Sequence, residues 1–280
     1  MNAKLNLLVL GCALTLLPLS ACSTENTQQH VPLKLPKGSK VSHMPTPAPD
    51  WELENYLSPD ERADGFILLF DGKTSIGWRG FNQSSFPLNW RIDEGTLHMV
   101  GVDNMSEAQK ADRADIVYSR EFSNFILKLE WKISPKGDSG IFYLGKEIQD
   151  AQQFDYIWKT APEMQILDNQ GHPDANKGNN GKRLAGSLYD LIPANPQNAK
   201  PVGQWNQVEI HVKDRLVKHI LNGEEVVKYQ MDTPVWNALI QSSKFPMYNP
   251  NWANVPVSGL IGLQDHDDPV WFRNIKLKPL

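Results

Sequence analysis

The chain is predicted to fold as an all-β protein built from two packed antiparallel sheets. Three observations carry that expectation. Short apolar runs recur along the chain between turn residues, the longest of them alternates apolar with polar, and strands do not alternate with helices anywhere in the 280 residues.

Taken in order, Phe66 to Phe70 is an apolar run stopped by Asp71-Gly72. Trp90 to Ile92 and Thr96 to Val100 flank Asp93-Glu94-Gly95, expected to be a three-residue hairpin with Gly95 at the left-handed position. Phe125 to Ile133 alternates throughout. That pattern puts Phe125, Leu127, Leu129, Trp131 and Ile133 on one face, and Lys128, Glu130 and Lys132 on the other. Ser139 and Tyr143 are expected to share one face of a strand, and Glu163 and Gln165 one face of another. Trp205 to Lys213 turns Val208, Ile210 and Val212 inward. Val217 to Leu221 and Glu224 to Tyr229 flank Asn222-Gly223, a strong hairpin signal. The last strands are Leu260 to Gln264 and Val270 to Leu277. One helix is expected, from Thr233 through Pro234 at its first position to about Ile240. Two long loops remain: Asp168 to Gly186 is polar, whereas Ser242 to Ser258 carries Phe245, Tyr248 and Trp252. Loops this long within a compact domain are expected to serve function.

Residues 1–21 read as a secretion signal, with Lys4, an apolar run from Leu5 to Leu19, and small residues Ser20 and Ala21. The run is too short for a membrane-spanning helix. Leu19-Ser20-Ala21-Cys22 resembles a bacterial lipobox, in which cleavage precedes the cysteine and its thiol and new amino group are acylated. The expectation is a lipid anchor on Cys22 and a periplasmic or cell-surface location. Ser23, in place of Asp, points to the outer membrane. Several acyl chains, at roughly 0.8 kcal/mol per buried CH₂, hold a protein firmly on a bilayer. Residues 22–50 then form a linker, polar first and later rich in proline (Pro32, Pro36, Pro45, Pro47, Pro49), leaving 51–280 as the domain.

Cys12 and Cys22 are the only cysteines, so the domain has no disulfide, thiol nucleophile or cysteine-ligated zinc. Loss of residues 1–21 removes Lys4 alone among charged groups. The remaining 27 basic and 32 acidic residues give a net charge of −5 and no basic patch, which excludes a nucleic-acid partner.

Several motifs are recognisable in order. Phe70-Asp71-Gly72-Lys73 with Gly77-Trp78, Asp138-Ser139-Gly140-Ile141-Phe142-Tyr143, Pro162-Glu163-Met164-Gln165-Ile166-Leu167-Asp168 and Gly186-Ser187-Leu188-Tyr189-Asp190 are the first of them. His219-Ile220-Leu221-Asn222-Gly223, Ser243-Lys244-Phe245 and Gly262-Leu263-Gln264-Asp265-His266 follow. Together they resemble the 3-keto-disaccharide hydrolase family over residues 65–280. Asp138 stands where that family commonly has Asn.

The resemblance implies a concanavalin A-like jelly roll whose concave sheet holds a sugar. It also implies an upstream sugar 3-oxidoreductase, because the substrates are glycosides whose C3 hydroxyl has become a ketone. That ketone acidifies the hydrogen on C2, so one base can remove it, the enolate can expel the C1 substituent, and water can add back. One near-neutral base and a group to stabilise the enolate oxygen suffice. An ordinary glycosidase needs two placed carboxylates.

Glu163 is therefore the first candidate base or metal ligand, with a solvated strand-face acid as the plain alternative. His219 is either a second proton carrier or a satisfied core histidine. Candidates for binding sugar are Ser139, Tyr143, Gln165, Asp168, Tyr189, Gln264 and Trp252, with Tyr156, Trp158 and Tyr248 as further stacking aromatics. Glu130 is either a site residue or a surface partner of its neighbouring lysines. Asp265 and His266 either ligate a divalent cation or form a hydrated turn, and His172 and Asp174 raise the same question. No other cofactor is implied. Two other functions stay open: a non-catalytic glycan-binding module, and a conventional glycosidase using Glu130 and Glu163. If the anchor lies at Cys22, Cys22→Ala should move the protein from the membrane pellet to the soluble fraction. Retention in the pellet would reject it.

Overall fold

A computed structural model describes residues 54–148 and 153–280. The signal segment, Cys22 and the linker lie outside the described residues. No helix among the described residues is long and apolar enough to cross a membrane.

The strands are β1 Ile67–Leu68, β2 Trp78–Gly80, β3 Trp90–Asp93, β4 Thr96–Met99, β5 Ile116–Tyr118, β6 Phe125–Ile133, β7 Asp138–Gly145, β8 Glu163–Leu167, β9 Asn206–Lys213, β10 Leu216–Leu221, β11 Glu224–Gln230, β12 Leu260–Leu263 and β13 Val270–Pro279. They form two antiparallel sheets. The larger runs β11-β10-β9-β6-β13-β4-β3, with β1 also on β13, and the smaller runs β2-β5-β12-β7-β8. The pattern of β6 is realised residue by residue, with its five apolar side chains buried and the residues between them half-buried. Each such side chain contributes about 1.5–3 kcal/mol on burial.

Three hairpins turn on left-handed residue pairs, one of them Asp214 (φ 50°) and Arg215 (φ 66°) between β9 and β10. Asn222 and Gly223 have φ of 49° and 87°, as expected. At the first hairpin Asp93 pairs with Thr96, so its loop is two residues, not three. Glu94 (φ 45°) and Gly95 (φ 72°) make the mirror-image turn whose twist suits paired strands. The expected helix is α3, Pro234–Gln241, with the Thr233 hydroxyl capping it. Short helices α1 (Pro59–Ala63), α2 (Glu107–Ala111) and α4 (Phe245–Tyr248) complete the set.

The smaller sheet decides where function can lie. Ile141, Tyr143, Met164, Ile166, Ile261 and Leu263 belong to the main core between the sheets. Phe142 and Leu260 join a separate cluster with Phe81, Val117, Ile157 and Ala161. That cluster covers one half of the outer face, while Asp138, Glu163 and Gln165 occupy the other half.

Three candidates therefore face the core. His219 is fully buried, and its Nδ1 lies 3.0 Å from the Gly186 carbonyl. A carbonyl can only accept, so Nδ1 carries the proton. Nε2 then accepts from the Tyr143 hydroxyl at 2.8 Å, and Tyr229 donates to Tyr143 at 2.7 Å. His219 is the satisfied core histidine, and Tyr143 is its partner and not a sugar ligand. Ser139 is also fully buried and donates to the Gln264 carbonyl at 3.0 Å.

Burial pushes the His219 pKa from 6.5 down to about 4, against a smaller opposing pull from the Gly186 carbonyl. The unfolded chain thus binds the extra proton between those values, and stability falls as pH drops through that window. His219→Gln should flatten this acid decline in denaturant titrations. Each unfolding titration should show a loss of about 1–3 kcal/mol at neutral pH, because Tyr143 loses its acceptor. An unchanged pH slope would show that His219 titrates normally.

Candidate active site

The polar half of the smaller sheet's outer face is the floor of a cleft of about 210 Å³. Asp138, Glu163, Gln165 and Gln264 form that floor. Trp158, Tyr189, Lys244, Phe245, Tyr248 and His266 wall it.

Local pairing explains the floor. Phe142 lies opposite Glu163 and Gly140 opposite Gln165 in the β7–β8 register. A Cβ on Gly140 would collide with the Glu163 carboxylate, so glycine lets the carboxylate lie flat across β7. On its other side β8 is pinned by the Gly186–Tyr189 segment. Gln165 N–H donates to the Ser187 carbonyl, and Tyr189 N–H donates to the Glu163 carbonyl, both at 3.0 Å. Gln165 Nε2 donates to Asp138 Oδ1 at 2.9 Å, across the diagonal of the strand pair.

Charge is concentrated here and partly unanswered. Glu163 is 6 % exposed, and its carboxylate has no hydrogen-bond partner among the described residues. Burial pushes its pKa well above the ordinary carboxylate value. The Asp138 charge pushes the same way, and Lys244 opposes both. Burial likewise raises Asp138 to about 6, with His266 and His172 pulling it back. Each histidine Nδ1 is 3.8 Å from Asp138 Oδ2. Gln165 Oε1 and Gln264 Oε1 are buried with no hydrogen-bond partner among the described residues.

Lys244 is the cation of the site. It donates to the Tyr189 hydroxyl at 3.1 Å, lies 4.4 Å from that ring's centroid, and is 3.9 Å from Asp190. Burial lowers its pKa, which Asp190 partly offsets. Tyr189 also donates to Asp174 Oδ2 at 3.3 Å, and Arg183 links Asp174 to Asp190.

Of the expected site residues, the structure brings Glu163, Gln165, Tyr189, Gln264 and His266 together. Others lie elsewhere. Trp252 is buried, stacks on Phe245 at 4.2 Å, and donates to the Trp158 carbonyl at 2.9 Å. It supports the wall from behind and does not present a face to a sugar. Asp168 accepts from the backbone N–H groups of Lys136, Gln170 and Gly171, and lines a separate cavity. Burial works to raise its pKa, but those donors win and lower it. It ties a loop.

Glu130 accepts from Arg273 at 2.7 Å on the outer face of the larger sheet. Glu163 leaves the core from the opposite sheet, so the two acids cannot flank one glycosidic bond. That removes a glycosidase that pairs Glu130 with Glu163. Asp265 receives both Arg113 Nε and Nη2 at 2.8 Å, together with Asn89 at 2.9 Å. Its oxygens are engaged by cation and amide, and the described residues hold no group of three or more His, Cys, Asp or Glu able to bind a metal. Asp265 and His266 therefore do not form the expected cation site.

Sequence reasoning had not assigned Asp138 and Lys244 to the site. Both lie inside motifs that were visible, Asp138-Ser139-Gly140 and Ser243-Lys244-Phe245, but single-strand periodicity cannot bring residue 244 to β8.

Residues 65–278 match the family of 3-keto-alpha-glucoside-1,2-lyase-like domains. The chain belongs to that family. A 3-keto-disaccharide hydrolase of Bacteroides thetaiotaomicron is 44% identical over 232 residues, covering 78% of this chain and 79% of the relative. A crystal structure from Parabacteroides distasonis, provisionally assigned as a glycosyl hydrolase, superposes with a TM-score of 0.70 at 30% identity. It covers 81% of this chain and 99% of that one. A second provisionally assigned glycosyl hydrolase from the same organism has a TM-score of 0.50 at 23% identity, covers 72% of this chain and 99% of its own, and bears on fold alone. The jelly-roll expectation holds.

Gly140→Ala should force the Glu163 carboxylate off β7 while leaving the strand pairing in place. Catalytic rate should fall at least tenfold, with the melting temperature moving by only a few degrees. Full activity in a folded Gly140→Ala variant would show that the placement of Glu163 is not critical.

Proposed function

We propose that this protein cleaves 3-keto-glycosides, with a 3-keto-disaccharide as the natural class of substrate. The observation that carries the reading is the Glu163 carboxylate, buried on the cleft floor without a hydrogen-bond partner among the described residues. A binding module gains nothing from a carboxylate kept out of water and unpaired. A general base gains a pKa raised towards neutral. Family membership and the name of the Bacteroides relative support the same substrate class.

In the proposed reaction Glu163 takes the proton from C2, and the electron pair moves towards the C3 carbonyl oxygen. Lys244, whose ammonium still has protons to donate beyond the one held by Tyr189, supplies the positive charge and hydrogen bonding that this oxygen needs. The C1–O bond then breaks, the electron pair forms the C1=C2 double bond, and the leaving oxygen takes a proton. Water adds its oxygen at C1 and a proton returns to C2, so the net change is hydrolysis. Gln165 and Gln264 are the polar floor on which the sugar rests. A cell-surface or periplasmic location, held by a lipid on Cys22, and supply by a sugar 3-oxidoreductase complete the proposal.

Glu163→Gln retains shape and removes basicity. It should lower the rate by about 10²–10⁴ on 3-keto-glucosides, with a much smaller change in KM. Because the base must be ionised and its pKa is raised, kcat/KM should rise with pH through a limb above the ordinary carboxylate range. In deuterated water the product or recovered substrate should carry deuterium at C2. Comparable cleavage of the unoxidised parents without C2 exchange would refute the elimination route.

A further inference from the structure

A second cavity of about 470 Å³ adjoins the cleft. The two share Trp158, Gln264 and His266 in their walls. From this contiguity we propose that the second cavity is the leaving-group subsite, and that it takes a neutral sugar ring. This rests on the keto-glycoside reading and deepens it by naming what leaves.

The shared ridge is the first reason. A substrate whose oxidised ring lies over Glu163 has its C1 substituent pass the ridge, where Gln264 serves both sides. Gln264 lines both cavities, so a polar side chain stands at their junction. The size and chemistry of the second cavity are the second reason. It is larger than the cleft and is lined by Arg113, Asp115, Tyr156 and Asp267 as well as the ridge. Tyr156 is 50% exposed and offers an aromatic face at the rim, the usual platform for the apolar face of a pyranose.

Charge balance excludes an anionic leaving group. Arg113 is spoken for by Asp265 at 2.8 Å and by Asp267 at 2.5 Å. Lys110 is paired with Glu107 at 3.0 Å. Asp115, buried on the cavity wall, accepts from the backbone N–H groups of Asp265 and Ile157. A phosphate or uronate entering here would meet cations already neutralised and acids besides. A flat apolar aglycone would strip water from the Arg113 and Asp267 ion pair and give back no hydrogen bond. A hexose offers hydroxyls to both.

The test compares 3-keto-maltose and 3-keto-cellobiose with the methyl 3-keto-glucosides of matching anomeric configuration. Two variants act only on the second cavity: Ala114→Phe, which fills it, and Tyr156→Ala, which removes the platform from an exposed position and should fold. Both should raise KM for the cleaved disaccharide about tenfold and leave the methyl glucosides unchanged. Equal effects on both substrate types, or no effect on either, would overturn the subsite. If the wild type releases nothing from any keto substrate, the keto-glycoside reading has failed and not the subsite. Calorimetric titration with maltose and cellobiose then decides it. Weaker disaccharide binding in both variants supports the subsite, and unchanged binding, or none in the wild type, rejects it.

Discussion

The candidate site depends on one constraint: a carboxylate taken out of water must be either paired or kept neutral. Glu163 is not paired, so burial and the neighbouring Asp138 charge hold its pKa far above the solution value. Keeping it there requires rigid backbone. β8 is the edge strand of its sheet, and an edge strand left alone would fray or pair elsewhere. Here the Gly186–Tyr189 segment closes that edge with backbone hydrogen bonds, and β7 holds the other. The same segment places Tyr189, and through it Lys244, above the carboxylate. The acid, its opposing cation and the edge that fixes both are therefore one construction.

The supports extend beyond the cleft in both directions. Inward, the Gly186 carbonyl accepts from His219, so the core histidine braces the segment that closes β8. Outward, Trp252 holds the Trp158 carbonyl and Asn249 holds that of Lys159, which fixes the aromatic wall. The polar loop from Asp168 onwards contributes differently from its first residue. Asp168 organises its own backbone, whereas Asp174 reaches the Tyr189 hydroxyl and Arg183. Residues matching a family motif thus divide into those that touch the cleft and those that hold its frame.

How far the sequence reveals this depends on the range of the interaction. Period-two alternation reads directly as β6, and Asn222-Gly223 as a hairpin, because both signals are local. The short helices were legible too. Ser58 with Glu61, and Ser106 with Gln109, are reciprocal capping pairs three residues apart that went unread. The pairing of Glu163 with Gln165 on one face was local and correct. Which face was polar was not local. On β7 the alternation of Asp138 and Gly140 with Ser139, Ile141 and Tyr143 marks two faces without saying which is core. A serine and a tyrosine seemed suited to sugar, yet a buried histidine 76 residues later satisfies the tyrosine. Burial of a polar residue is decided by its partner, and partners distant in sequence leave no periodic trace.

Asp138 shows what a single departure from a family pattern can do at such a site. An asparagine there would still accept from Gln165 through its carbonyl, so the hydrogen bond alone does not distinguish the two. Charge does. Ionised Asp138 adds a second negative charge beside Glu163 and raises the Glu163 pKa, and the two histidines 3.8 Å away pull the Asp138 pKa down and so favour its ionised form. Burial raises Asp138 itself to about 6. Lys244 sets the opposite bias from above. The pKa of Glu163 is therefore set jointly by an acid on β7 and a lysine before α4, two groups that share the cleft because the smaller sheet turns its polar half towards it.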